Sequence, residues 1–399
     1  MPVPRTLAPH LRQLARRHPV VVLTGPRQSG KTTLCRSVFA DKAYVSLEDP
    51  DVRRFALEDP RGLLAQHAAG AIFDEVQHAP ELASYLQRIV DEDLAPGRFV
   101  LTGSQHFGVT QTVSQSLAGR AAIVHLLPCS LAELEHFPGS REHLLEVLVA
   151  GGYPAIHDRQ LSAAEWLASY TATYVERDVR QVLNVSDLLS FQTFLGLCAG
   201  HGGQMVNLSS LASAAGITHN TARAWLSVLE GSFLVHRLPP LVANLKKRLV
   251  KTPKLHFYDS GLQCYLLGIR DPDQLLRHPS RGAVFESWVV SEVIKAHLHR
   301  GVAARVSFFR DRHGDEVDLI VEHGQALLAV EAKSGSTIAA DFLEALRRFA
   351  RTVAASPLEG RTLRSVLVYG GAERQERSDG LVLPWREVSA FDWAGEEVG

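Results

Sequence analysis

The sequence is poor in cysteine, and neither sign of charge is in excess. Four cysteines, Cys35, Cys129, Cys198 and Cys264, occur in 399 residues. They form no CxxC pair, which predicts reduced thiols and excludes a disulfide framework or a clustered zinc site. Basic and acidic residues number 42 and 43. This balance excludes a protein that is basic all over, although one basic face remains compatible with a neutral total.

Long apolar segments are missing as well. Runs such as Val20–Leu23 are far shorter than the ~20 residues of a membrane-spanning helix. The segment Met1–Arg17 is basic, is interrupted by Pro4 and Pro9, and has no apolar signal core. Hydrophobic residues nevertheless make up 46% of the chain, which is enough for a core in each of several domains. We therefore expect a globular, cytoplasmic protein without a membrane partner.

The chain divides into segments of different pattern. Residues 1–127 alternate β-type runs with helical stretches, which predicts a parallel α/β sheet. Residues 128–204 are helical, residues 205–270 combine a small helical unit with β segments, the polar stretch 271–281 is typical of a linker, and residues 283–399 form a second α/β unit. The predicted strands of the first unit are Val20–Thr24, Ala43–Leu47, Ala71–Phe73, Phe99–Thr102 and Ala122–Leu126. Those of the second unit are Val306–Arg310, Val317–Val321 and Leu327–Ala332.

A glycine-rich loop follows the first predicted strand. Its sequence, Gly25-Pro-Arg-Gln-Ser-Gly-Lys-Thr32, fits GxxxxGK[ST] and precedes a helix-compatible stretch. The two glycines let the backbone N–H groups face phosphate oxygens, and the helix dipole adds to that attraction. Lys31 is placed to bind the β- and γ-phosphates, and Thr32 to bind Mg²⁺. The predicted ATP-binding residues are Gly25, Pro26, Arg27, Gln28, Ser29, Gly30, Lys31, Thr32 and Thr33.

An acidic pair, Asp74 and Glu75, follows the predicted strand Ala71–Phe73. In isolation it would be an ordinary solvated pair. Beside a phosphate loop, the first carboxylate of such a pair holds Mg²⁺ and the second is the general base that activates water. We therefore predict these roles for Asp74 and Glu75 respectively.

The strand that begins at Phe99 ends in small polar residues. Thr102, Ser104 or Gln105 can reach the γ-phosphate from a neighbouring strand, and we favour Ser104. Arg120 precedes the next strand. A lone arginine is usually a surface residue, but here it is also a candidate arginine finger, a fixed positive charge for the transition state.

The ordered set of motifs resembles the bacterial and archaeal AAA-type ATPases that carry a C-terminal DUF4143 domain. The matching segments are GPRQSGKTTL, FDEVQ, LTGS, SLAGR, the GGYP turn at Gly151–Pro154, and Tyr174–Val179. The resemblance implies an ATPase domain of the additional-strand class with a helical lid, followed by a winged helix and a nuclease-like domain. It also implies a homo-oligomer, such as a hexameric ring, in which Arg120 acts on the neighbouring subunit.

Residues 207–230 predict a helix–turn–helix. Ser209 or Ser210 can cap the first helix, Gly216 supplies the turn, and Thr218 caps the second helix. The residues near the start of this recognition-type helix are His219, Asn220, Thr221 and Arg223.

The segment Leu245–Lys254 contains basic residues and no acid, which favours a β-wing that contacts phosphates. Its basic residues are Lys246, Lys247, Arg248, Lys251 and Lys254. Together with the helix–turn–helix, the wing predicts DNA binding without sequence specificity. The alternative is a lid or subunit contact that touches no DNA.

The C-terminal segment holds carboxylates that need a partner. Glu286 lies on the apolar face of its predicted helix, where a charge is costly unless it is paired or metal-bound. Asp318 lies in one predicted strand, and Glu331 and Lys333 share a face of the next. This order resembles the PD-(D/E)XK nucleases, a restriction-endonuclease-like α/β fold. The resemblance implies that Glu286, Asp318 and Glu331 bind metal and that Asp318, Glu331 and Lys333 are catalytic. The alternative is an inactive domain with a hydrogen-bonded ion cluster.

Together these patterns predict an ATP hydrolase that uses Mg²⁺ and couples hydrolysis to DNA binding or remodelling, by translocation or by processing of branched DNA; the family resemblance implies that it is an oligomer. Metal-dependent DNA cleavage is a further expectation. The alternatives are an ATP-gated nuclease, a DNA motor that does not cut, and a nucleotide-dependent regulatory or defence switch that acts on a protein partner.

Overall fold

The computed structural model describes residues 3–104, 117–175, 187–241, 252–311, 313–339, 341–354 and 360–395. The chain forms two compact units. The first consists of Met1–Cys129 with Gly231–Phe233 and Leu298–Gly301, and the second of Ser130–Glu230, Leu234–His297 and Val302–Gly399. No helix in the described ranges is both long and apolar enough to span a bilayer.

The first unit contains a five-stranded parallel sheet with the order β2-β3-β4-β1-β5. Its strands are β1 (Val20–Thr24), β2 (Ala43–Ser46), β3 (Ala71–Asp74), β4 (Phe99–Gly103) and β5 (Ala121–His125). The five predicted strands are confirmed to within one residue at each end. Because β4 lies between β1 and β3 and is parallel to both, the sheet has the strand order of the additional-strand class.

Helices cover both faces of this sheet. They are α1 (Ala8–Ala15), α2 (Lys31–Val38), α3 (Pro50–Glu58), α4 (Pro60–Gln66) and α5 (Leu82–Glu92). Val20 and Val22 pack with α3, α4 and α5 on one face, whereas Val21 and Leu23 pack with α1 and α2 on the other. Since both faces of β1 are buried, its sequence is a continuous apolar run rather than an alternating one.

The second unit begins with helices. They are α6 (Leu131–Leu134), α7 (Leu144–Ala150), α8 (Pro154–Asp158), α9 (Ala163–Tyr170), α10 (Leu188–Gly200), α11 (Leu208–Ala214) and α12 (His219–Gly231). An antiparallel pair follows, β6 (Val235–Leu238) with β7 (Lys254–Phe257), and then α13 (Ser260–Leu266) and α14 (Pro272–Arg277). The polar stretch 271–281 is therefore not only a linker, because α14 lies within it.

The segment predicted as a helix–turn–helix forms two helices, α11 and α12, with a turn between them. Thr218 Oγ1 accepts a hydrogen bond from Thr221 N (3.1 Å), and Gly216 has φ +70° in the turn. The predicted cap of α11 was wrong. Asn207, the residue directly before this helix, accepts from Ser210 N (3.0 Å), whereas Ser209 and Ser210 already lie inside the first turn.

The C-terminal part of the second unit is a helix followed by a mixed six-stranded sheet of order β12-β13-β11-β10-β9-β8. Its elements are α15 (Arg281–Leu298), β8 (Val306–Arg310), β9 (Glu316–His323), β10 (Ala326–Lys333), α16 (Glu344–Ala354), β11 (Thr362–Tyr369), β12 (Gln375–Arg377) and β13 (Gly380–Pro384). Strands β8, β9 and β10 are antiparallel neighbours. Strand β11 returns parallel to β10, with α16 packed on the sheet through Leu346, Phe349 and Val353.

Candidate ATP site and carboxylate cluster

The glycine-rich loop has the backbone that its sequence predicts. Gly25 has φ +150° and Gly30 has φ +93°. A Cβ atom on Gly25 would lie 2.1 Å from the carbonyl oxygen of Leu126, so only glycine fits there. Helix α2 begins at Lys31, directly after Gly30, and its N-terminal end therefore lies at the loop.

Polar groups of this loop suit an anionic ligand. Lys31 Nζ donates to the carbonyl oxygens of Gly25 (3.0 Å) and Pro26 (2.8 Å). Burial lowers the pKa of Lys31, although Glu75 and Asp74 oppose this shift. The buried hydroxyl of Ser29 has no hydrogen-bond partner among the described residues. A phosphate group would supply an acceptor for the Ser29 hydroxyl and for the third N–H of Lys31, so these residues fit the phosphate groups of ATP.

Asp74 lies at the C-terminal end of β3, next to the loop. Its Oδ2 accepts from Thr32 Oγ1 (2.8 Å) and from the Tyr44 hydroxyl (2.7 Å), and its Oδ1 accepts from Thr102. Thr32 and Asp74 are therefore in contact, and their oxygen atoms are ligands that Mg²⁺ prefers. Thr102 positions Asp74 instead of facing a phosphate.

Glu75 follows in a left-handed conformation, with φ +57°. Its Oε2 accepts from Ser104 Oγ (3.1 Å) and from the Gln77 amide. Burial raises the pKa of Glu75, but Lys31 and the Gln77 hydrogen bond outweigh this, and the pKa is lowered overall. The carboxylate is thus held ionised, as a general base must be.

The structure brings together Lys31, Thr32, Asp74, Glu75 and Ser104, all of which the sequence predicted. Gln105 lies outside the described residues. Tyr44 and Gln77, which are also partners of the acidic pair, were not predicted from the sequence. Gln77 could have been found from the sequence, because it belongs to the segment FDEVQ that contains the acidic pair. Tyr44 could not, because only the pairing of β2 with β3 brings it close to Asp74.

Comparison with known proteins gives family matches in three segments of the chain. Residues 17–135 match the AAA domain family AAA_14, residues 141–273 the domain of unknown function DUF8612, and residues 281–388 the domain of unknown function DUF4143. The chain is 31% identical over 383 residues to the uncharacterized proteins Rv2008c of Mycobacterium tuberculosis and Mb2031c of Mycobacterium bovis. These matches cover 95% of this chain and 82% of each relative.

The chain belongs to the family of AAA_14 ATPases that carry a DUF4143 domain. Among solved structures, the Walker-type ATPase PABY2304 of Pyrococcus abyssi is 14% identical, with 65% of this chain and 94% of that chain covered and a TM-score of 0.46. AMPPCP-bound DnaA from Aquifex aeolicus is 13% identical, with 56% and 85% covered and a TM-score of 0.30. With TM-scores below 0.5, neither similarity indicates what this chain does.

Arg120 of this AAA_14–DUF4143 protein lies directly before β5. Its neighbour Ala121 pairs with Val20, the first residue of β1, whereas the phosphate loop follows Thr24, the last residue. From Val20 to Thr24 there are four residue steps of about 3.3 Å each, so the two ends of β1 lie about 13 Å apart. The guanidinium is ion-paired with Asp91 on α5 (Nη2 to Oδ2, 3.1 Å). The structure therefore does not bring Arg120 to the phosphate loop of its own chain.

The predicted DNA-contact residues fall into three groups. His219, Asn220 and Arg223 are exposed at the start of α12, and Thr221 is half-buried. Lys246, Lys247, Arg248 and Lys251 lie outside the described residues. The prediction for Lys254 was wrong, because its side chain is only 1% exposed and cannot contact a DNA phosphate.

Lys254 instead joins the predicted nuclease-like residues. Its Nζ lies 2.8 Å from Glu286 Oε1, 2.5 Å from Glu316 Oε1 and 3.6 Å from Asp318 Oδ1. Burial disfavours the charged lysine, but these three carboxylates raise its pKa overall. We call Glu286, Glu316, Asp318 and Glu331 the carboxylate cluster.

Lys333 and Glu331 share a face of β10, as predicted, since Lys333 Nζ lies 2.6 Å from Glu331 Oε1. Asp318 Oδ2 accepts from Ala332 N across the strand pair (3.0 Å). Burial and the nearby Asp318 raise the pKa of Glu331 to about 7 and that of Glu286 to about 8.

This arrangement does not fit a metal ion. Among the described residues, no group of three or more His, Cys, Asp or Glu side chains has a geometry that could hold one. Lys254 occupies the space between Glu286 and Asp318, two of the three predicted ligands. Glu316 was not predicted, although it lies two residues before Asp318 and so on the same face of β9.

Proposed function

We propose that this protein is an ATPase that uses Mg²⁺, acts as an oligomer, and couples hydrolysis to DNA binding or remodelling. Residues 1–127 are the ATPase domain, residues 128–204 a helical lid, residues 205–270 a winged helix, and residues 283–399 a PD-(D/E)XK-like domain. The observation that carries the ATPase part is the convergence of the loop, Asp74 and Glu75 at one edge of the parallel sheet.

Each residue of the ATP site has a separate role. Lys31 binds the phosphates, and Thr32 and Asp74 hold Mg²⁺, which supplies Lewis-acid polarisation of the phosphoryl group when bound. Glu75 takes the proton of the attacking water. In place of the γ-phosphate contact predicted from the sequence, Ser104 orients the Glu75 carboxylate through the hydrogen bond between them.

Two substitutions test this assignment by ATP turnover. Lys31→Ala removes the phosphate contact and abolishes turnover. Glu75→Gln abolishes turnover while nucleotide binding persists, because only the general base is lost. Glu81→Gln, the same change at an exposed position, is the matched control and retains full activity. Turnover in the Glu75→Gln protein would contradict the role of Glu75.

The oligomer is supported by the position of Arg120. It lies at the end of the sheet where β1 begins, whereas its own phosphate loop lies at the end where β1 stops. An arginine finger at this position can act only on a second copy of the chain.

DNA binding is supported by the exposed N-terminal turn of α12, which carries His219, Asn220 and Arg223. The two-stranded sheet follows this helix in the chain. The test is ATPase rate against linear, branched and single-stranded DNA, together with retention on DNA at ~50 mM salt. Stimulation that is reduced in Arg223→Ala supports the proposal. Absence of both stimulation and retention supports instead a regulatory switch with a protein partner.

The nuclease-like fold of residues 283–399 is supported by the element order α15-β8-β9-β10-α16-β11, with β8–β10 antiparallel and β11 parallel to β10. Lys254 among the carboxylates favours the version of this domain that does not cleave DNA.

A further inference from the structure

The cation in the middle of the carboxylate cluster is supplied by the chain itself. Lys254 is almost completely buried, and its ammonium also lies 5.5 Å from the centre of the Phe308 ring. Its donors are directed at Glu286 and Glu316, with Asp318 beside them. Water cannot replace these carboxylates as partners of the ammonium, so the lysine is fixed there by both packing and charge.

The charges of the cluster are already nearly balanced. Besides Lys254, Lys333 is paired with Glu331, and Arg310 Nη1 lies 2.8 Å from Glu316 Oε2. Four carboxylates therefore face three cations. A Mg²⁺ ion requires oxygen ligands at about 2.1 Å. If it shared an oxygen with the ammonium, the two cations would lie within about 5 Å and repel each other.

We propose that Lys254 is the resident cation of the carboxylate cluster and excludes divalent metal ions from it. Because Lys254 belongs to β7, its ion pairs also link the two-stranded sheet to α15 through Glu286 and to β9 through Glu316. A metal ion reaches Glu286 and Asp318 only when Lys254 is withdrawn. This inference goes beyond the proposed ATPase activity and does not depend on it.

The test is binding of Mn²⁺ to the full chain, measured without nucleotide by the loss of the free-ion EPR signal. Every sample carries Asp74→Asn, so that the carboxylate of the ATP site cannot contribute. Lys254→Met keeps the length of the buried side chain and removes its charge. Lys333→Met is the matched control, because it removes the other lysine of the cluster and leaves Lys254 in place.

We expect one bound Mn²⁺ per chain in Lys254→Met, with an affinity at least about tenfold above that of the parent and of Lys333→Met. Adding Asp318→Asn to Lys254→Met abolishes this binding. The proposal is overturned if folded Lys254→Met binds no more Mn²⁺ than the parent. It is also overturned if the parent itself binds one equivalent that Asp318→Asn removes, a measurement that needs no Lys254 variant to fold.

Discussion

Arg120 offers the sharpest test of the proposed oligomer, because its substitution separates catalysis from folding. Its ion pair with Asp91 is exposed, with 31% and 42% of the two side chains accessible. A pair of this kind contributes at most about 1 kcal/mol to the free energy of unfolding. An arginine finger, in contrast, accelerates phosphoryl transfer by about 10³-fold or more. Arg120→Ala should therefore leave the fold intact and lose almost all turnover.

The control is Asp91→Asn, which breaks the same ion pair and leaves the guanidinium in place. It should retain most of the turnover. Thermal melts of both variants, run beside the ATPase assay, show whether a loss of turnover comes from unfolding.

A mixing assay then shows on which chain Arg120 acts. Lys31→Ala lacks the phosphate contact, and Arg120→Ala lacks the finger, so each variant alone is inactive. In randomly mixed oligomers with head-to-tail interfaces, about a quarter of the sites combine an intact loop with an intact finger from the neighbour. An equal mixture should therefore recover about a quarter of the wild-type rate. Full activity of Arg120→Ala, or no recovery in mixed oligomers, would refute the reasoning.

Three further outcomes are expected. Ser104→Ala should lower kcat about tenfold with little change in KM, since it frees the Glu75 carboxylate without touching the phosphate loop; steady-state kinetics measure this. Trp225→Ala should lower the free energy of unfolding by about 3–5 kcal/mol in urea titrations, because its buried ring packs edge-on against two phenylalanines of α10. Burial, aided by Arg141, lowers the pKa of His157 from 6.5 to about 4, so the unfolded chain binds more protons in this range. Stability should therefore fall by up to roughly 3 kcal/mol as pH drops from 6.5 to 4, and the fall should be smaller in His157→Gln.

The ATP site could be predicted from the sequence because its parts are local. The loop, the strand before it and the helix after it are contiguous, and the conformation of Gly25 and Gly30 is dictated within a few residues. Asp74 and Glu75 were predicted to belong to this site because they follow the short buried run Ala71–Phe73 in a chain that also has a phosphate loop. The carboxyl ends of parallel strands lie at the same end of a sheet, so the prediction of a parallel sheet already placed them near the loop.

The helix–turn–helix was predicted for the same reason, since the spacing of its buried residues is a property of one segment. Its first cap was misplaced because Asn207, Ser209 and Ser210 are all good capping residues. Which of them caps the helix depends on the residue at which the helix begins, and the structure places that start at Leu208.

Lys254 shows what the sequence alone could not decide. In the chain it is the last of a run of basic residues, and that neighbourhood predicts exposure and phosphate contact. In the fold it is buried, because β7 passes beside α15 and β9 and carries its ammonium to carboxylates at least 32 positions further along the chain. The sequence shows that this part of the chain contains both basic and acidic residues. Which charges neutralise each other is set by tertiary packing, because the Coulomb energy depends on distance in space and not on distance along the chain.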